Sequence, residues 1–243
     1  MSVSRSFFFL FLSGMLFSAC QSDQRDLRPY YYPYEELKDG MVYEYRAVDR
    51  DSVFPDYWYL RTLENEEQEQ VLVSQLYGPA FDIELISTEI LVEHGSIMRD
   101  YRLYETNDQG KSLTISTRIE DNNIFPFYVD EETGFLRFKM IWNEIREPDM
   151  QTTLTRGRQF QEIVEQDYQG KSISVAKFGS TELVEFDHPE EGHREYEVHT
   201  FETFAKGIGL IHYRKQIVDG PTIEYELVDR FPMTELEKRY LQQ

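Results

Sequence analysis

The chain has 243 residues, 45 of them acidic against 25 basic, for a net charge of −20, and it contains a single cysteine. That balance excludes a nucleic-acid partner, whose phosphate backbone needs a basic face, and argues against direct adhesion to anionic headgroups. The length fits one large β domain or two small ones, with enough core to fold without disulfides or metals.

In chain order, the first element is a leader. Arg5 supplies a positive start, an apolar run follows from Phe7 to Phe17, and Ser18 and Ala19 precede Cys20. These are the parts of a secretory signal peptide, and the run is shorter than the about 20 residues a membrane-spanning helix needs. Phe17-Ser18-Ala19-Cys20 resembles the lipobox of bacterial lipoproteins, with Phe17 standing where that family prefers Leu. The resemblance implies cleavage before Cys20, acylation of its thiol and new amino group by palmitate-type chains, and anchorage of the mature protein through that lipid. It also accounts for an otherwise unpaired cysteine in an exported chain.

Gln21, rather than Asp, follows the cysteine, which in lipoproteins of this type implies the outer membrane, on its periplasmic or cell-surface face. Gln21-Ser22-Asp23 resembles the surface-export signals of Bacteroidetes lipoproteins. Residues 1–19 are thus read as a lipoprotein signal peptide, 20–29 as a lipidated tether, and 30–243 as an antiparallel β domain.

Past the tether, Tyr30-Tyr31-Tyr32-Pro33-Tyr34 is the most aromatic run, expected to dock as a short strand or an aromatic plug. From Met41 the hydrophobic period is two. Strands are predicted over 41–48, 57–63, 71–77, 82–94, 96–106, 111–120, 124–129 and 135–142, with Asp-Gly, Gly-Pro and Asn-Asp-Gln-Gly turn signals among them. Residues 144–150, with Pro148 and a charge cluster, form a candidate internal boundary. The pattern resumes over 152–155, 160–168, 172–178, 182–186, 195–204, 208–218 and 222–231. Pro232 ends it, and 233–241 predicts a helix with Thr234 as N-cap. The expected fold is mainly β, a large curled antiparallel sheet forming a half-barrel or sandwich, with a short C-terminal helix.

The stretch from Phe201 through Ala205-Lys206-Gly207-Ile208-Gly209-Leu210, followed by Tyr225-Glu226-Leu227, resembles the closing hairpin of several bacterial envelope lipoproteins. Their sheets are similar to the half-barrels of lipoprotein carriers. Gly207 and Gly209 read as a bend between paired strands. A Gly-x-Gly with no following helix is no phosphate cradle.

Reactive chemistry is harder to find. His188 and His193 lie in a polar stretch, 187–194, with Asp187, Glu190 and Glu191, a donor set able to hold a divalent ion. Its spacing matches no metal motif, and it reads as an acidic surface loop. No Gly-x-Ser-x-Gly elbow occurs, and with 45 acids no carboxylate pair stands out. The sequence therefore assigns no catalytic residue, no metal and no cofactor; Cys20 is its one site. Three functions fit: a non-catalytic envelope component engaged in interaction or assembly, a carrier of lipid or another apolar ligand, or a glycan-binding or glycan-cleaving surface protein using exposed Tyr and Trp. The expected partners are the membrane, through the lipid on Cys20, and an envelope protein or apolar ligand.

Overall fold

Apolar residues at every second position give a strand one face to bury, and here that face closes on itself. The computed structural model describes residues 24–50, 52–107, 109–130 and 133–241. The strands are β1 (Arg25–Asp26), β2 (Met41–Ala47), β3 (Asp56–Glu64), β4 (Gln70–Tyr77), β5 (Ile83–Val92), β6 (Gly95–Thr106), β7 (Ser112–Ser116) and β8 (Arg118–Pro126). They continue as β9 (Tyr128–Val129), β10 (Leu136–Asn143), β11 (Gln151–Tyr168), β12 (Lys171–His188), β13 (Gly192–Ala205), β14 (Gly209–Ile217) and β15 (Thr222–Phe231), and α1 (Met233–Leu241) follows.

The sheet runs β5-β4-β3-β2-β15-β14-β13-β12-β11-β10-β8-β6, and β6 pairs back onto β5. The result is a closed, up-and-down antiparallel barrel of twelve strands, which leaves no unpaired edge in the ring. The expected large curled antiparallel sheet is present, curled all the way round. β7 lies outside the ring, paired to the second half of β6, while β8 takes the first half. The stretch predicted as one strand over 111–120 is thus two, divided at Thr117, whose hydroxyl donates to the Tyr101 carbonyl at 2.7 Å. Residues 144–150 form the connection of the β10–β11 hairpin inside the continuous sheet.

One end of the barrel is stoppered by the segment that enters it. The Leu27 amide donates to the Phe127 carbonyl (2.8 Å), the Gly207 amide to the Pro29 carbonyl (2.8 Å), and the Thr62 amide to the Leu37 carbonyl (3.0 Å). Leu27 and Leu37 are fully buried, and Tyr30 and Tyr31 nearly so. The Tyr30 hydroxyl meets Ser174 Oγ at 3.0 Å. Partners on β3, β12, the β8–β9 junction and the β13–β14 turn mean that the segment spans the mouth. Docking begins at β1, which pairs with β9, so the expected tether is already ordered structure by Arg25.

The stopper rests on a core of Phe125, Phe178 and Phe204, with ring centroids 5.1–5.6 Å apart. Outside the barrel, α1 caps a second cluster of Val42, Tyr57, Phe231 and Leu236. Arg239 holds the helix there by donating to the buried Glu44 carboxylate at 2.8 Å. Thr234 falls within the first helical turn rather than at the N-cap.

Candidate functional site

Above the aromatic floor the barrel holds a cavity of about 410 Å³. Its walls come from strand positions that face inward in register. Cα pairing sets Arg158, Ser180, Thr200 and Lys215 side by side across β11–β14. One row away stand Arg156, Glu182 and Val198, and on the other side Phe160, Phe178, Glu202 and Tyr213. Five of these eleven inward side chains carry charge, which is unusual for an interior.

Arg158 and Glu202 form an ion pair at 2.6 Å, both more than nine-tenths buried. Arg158 also donates to the Ile124 carbonyl and lies 5.7–5.8 Å from the Phe178 and Phe204 ring centres. Nε of Arg158, Oε2 of Glu202, and the hydroxyls of Thr200 and Ser180 have no hydrogen-bond partner. Glu182 sits 3.9 Å from both Arg156 and Lys215, too far for a hydrogen bond. Burial lowers the pKa of Arg156, and the like charge of Arg158 lowers it further.

Two further acids line the cavity. Glu89 accepts from Tyr31 at 2.8 Å and from Ser96 at 2.7 Å, tying the stopper to the wall. Asp56 accepts from Tyr213; burial raises its pKa, and the Tyr213 hydrogen bond works against that rise. The same burial, with Asp56 next in weight, raises the Tyr213 hydroxyl strongly. Tyr101, half-buried in the wall, is pushed up to about 12, chiefly by desolvation. Trp58, Tyr32 and Tyr45 complete the aromatic lining.

The sequence-derived candidates fall elsewhere. Cys20 lies outside the described residues. His188 and His193 are not in a long loop: β12 and β13 run to His188 and from Gly192, and those two residues pair. Glu185, His193 and Glu195 come close enough together to share an ion. Yet His193 Nδ1 already meets Asp187 at 2.8 Å, and Nε2 meets Glu195 at 3.3 Å. Those two hydrogen bonds, Asp187 foremost, raise the His193 pKa and favour an imidazolium, which has no lone pair for a metal. Gly207 and Gly209 do form the expected bend, at φ +75° and +97°, beside a register shift at Thr203/Phe204.

Of the seventeen tyrosines, only Tyr196 is exposed, so the outer face of exposed Tyr that would favour a glycan-binding surface is not formed. The sequence pattern predicts separate strands over 152–155 and 160–168 and leaves 156 and 158 between them, whereas β11 runs unbroken through both and turns their charges inward. Their signal was there: Leu154, Arg156, Arg158 and Phe160 share one parity, so two arginines fall on the apolar side of the pattern.

The site and topology define a class: an up-and-down β-barrel with one end stoppered by its own N-terminal segment and charge in its lumen. Among solved structures, the chain is similar to a provisionally designated exported protein with a YmcC-like fold from Bacteroides fragilis NCTC 9343. The identity is 9%, over 81% of this chain and 96% of that one, with a TM-score of 0.50. It also aligns with a provisionally designated lipoprotein from Parabacteroides distasonis ATCC 8503, at 10% identity over 82% of this chain and 95% of that one, with a TM-score of 0.48. At such identity the first likeness is one of fold. No model of a known protein family and no curated protein matches the chain.

Proposed function

We propose that the chain is a lipid-anchored protein of the bacterial envelope, attached through Cys20 to the outer membrane, and that its barrel is a non-catalytic interaction or assembly component. The observation that carries this reading is the short path from anchor to barrel. Docked structure begins at Arg25, and five residues reach at most about 18 Å. A lipid on Cys20 would hold the stoppered end close to the bilayer and turn the other end away. The exported designation of the YmcC-like neighbour supports the same compartment.

The barrel exterior favours an anchored protein over a spanning one. Outward positions on β11–β13 include Gln159, Thr181, Glu195, Glu197 and His199. A membrane-spanning barrel needs an apolar band there. The lumen disfavours an apolar cargo, because such a cargo would desolvate Arg156, Glu182 and Lys215 on its walls without replacing their hydrogen bonds.

Expression in a bacterial host with radiolabelled palmitate tests the anchor. The wild-type chain takes up label and pellets with membranes, and Cys20→Ala loses both. Label retained on Cys20→Ala would show the assignment to be wrong.

A further inference from the structure

We propose that the lumen binds a small amphiphilic carboxylate, with its head at Arg156 and Lys215 and its apolar body against the opposite wall. The proposal is independent of the lipid anchor. It starts from which lumen charges are already engaged. Arg158 and Glu202 pair with each other at 2.6 Å, and their spare atoms are sealed from solvent. Glu89 accepts from Tyr31 and Ser96, and Asp56 accepts from Tyr213. Two cations, Arg156 and Lys215, are left sharing one acid. That acid, Glu182, stands 3.9 Å from each of them, beyond hydrogen-bond reach. The cluster thus carries one more positive charge than negative. Both cations line the cavity and are open to it, with 19% of the Arg156 side chain and 47% of the Lys215 side chain accessible. Burial and the like charge of Arg158 disfavour the Arg156 cation, and an anion laid against it would oppose both effects.

The opposite wall selects the rest of the ligand. Trp58, Leu76 and Leu85 are direct cross-strand neighbours on β3–β5. In strand order they stand half the ring away from β11–β13, which bring Arg156 and Glu182 to the lumen. Both faces line one cavity of about 410 Å³, within the range of about 300–1,000 Å³ typical of small-molecule sites. A wholly apolar ligand would desolvate the charged face, and a wholly polar one would leave the Trp58 face in water. A carboxylate can take two parallel hydrogen bonds from a guanidinium, which suits Arg156. A phosphate dianion would bring a second negative charge up to Glu182, and an ammonium would meet two cations for one acid.

Titration calorimetry on the full chain in nonionic detergent, with detergent-matched blanks, tests this with benzoate, phenylacetate and hexanoate. The comparison ligands are their primary amides, benzylamine, acetate and inorganic phosphate. At least one of the longer carboxylates should bind saturably, and about tenfold or more tightly than its amide or any other comparison ligand. Arg156→Gln should weaken that carboxylate about tenfold, the equivalent of one charge-assisted hydrogen bond. If Arg156→Gln does not fold, Lys215→Gln at the wetter rim is read in its place, with a fall of about threefold expected. An amide that binds as tightly as its acid would mean an apolar pocket that ignores the head, and overturns the proposal. Acetate binding as tightly as the longer acids, or preference for benzylamine or phosphate, overturns it equally. So does a lumen that binds none of the carboxylates, or a folded variant that binds them as wild type does.

Discussion

Asp56 shows how a single lumen residue sets a pH dependence. Burial raises its folded pKa above the unfolded value near 3.8, so the folded state holds the proton more tightly. Such a group contributes stability that is fully present below the unfolded pKa and is lost as pH rises through the folded one. At neutral pH the ionised carboxylate is therefore a net cost that the Tyr213 hydrogen bond only partly offsets. Asp56→Asn keeps an acceptor for Tyr213 and removes the charge. Its melting temperature should exceed wild type at pH 7, with the gap closing as pH falls toward 4. A gap that widens on acidification would mean that Asp56 is stabilised as the carboxylate.

Glu44 is the contrasting case. It is more deeply buried than Asp56, on the outer face, and Arg46 and Arg239 both pair with it at 2.7–2.8 Å. Removing either guanidinium would leave part of that buried charge uncompensated.

At the scale of elements, the β13–β14 turn joins the wall to the stopper. Gly209 has φ +97°, and a Cβ there would lie 2.4 Å from the Tyr32 ring. Gly207 has φ +75° but open space around it. Gly209→Ala combines backbone strain with a clash and should cost about 2–4 kcal/mol; Gly207→Ala should cost only about 1 kcal/mol. Equal losses in chemical denaturation would mean that Tyr32 does not pack against this turn.

The bend at these glycines was legible in the sequence because φ > 0 leaves a chemical trace. So were nearly all strands and the terminal helix, through period-two alternation and Pro232. Harder to read were the lengths of β11 and β12. Each continues for eighteen residues through stretches where Gly157, Gly179 or a polar inner residue interrupts the hydrophobic pattern. Barrel pairing on both sides supplies the order that local pattern does not. The inner charges were missed for the same reason, since a face can be assigned only when its strand is known to be continuous.

For the whole molecule, ring closure depends on a contact far apart in sequence, β15 with β2. Neither the parity of one strand nor its turn residues states whether the last strand meets the first, so half-barrel and closed barrel read alike before the structure. Closure also decides what the N-terminal segment does. With no free sheet edge in the ring to join, β1 pairs only with β9, and Leu27 to Leu37 cross the open end as a stopper. This stopper is integral to the barrel, so a lipid at residue 20, if attached as proposed, would be coupled directly to a folded lumen.

Native-state hydrogen exchange at the Leu27, Tyr30 and Tyr31 amides, which donate to the Phe127, Leu27 and Arg28 carbonyls, measures whether stopper and barrel open together. These amides should exchange only with global unfolding, at the same free energy as the β12–β13 core. Exchange several kcal/mol below that level would mean that the segment opens on its own, and that barrel and stopper are separate units.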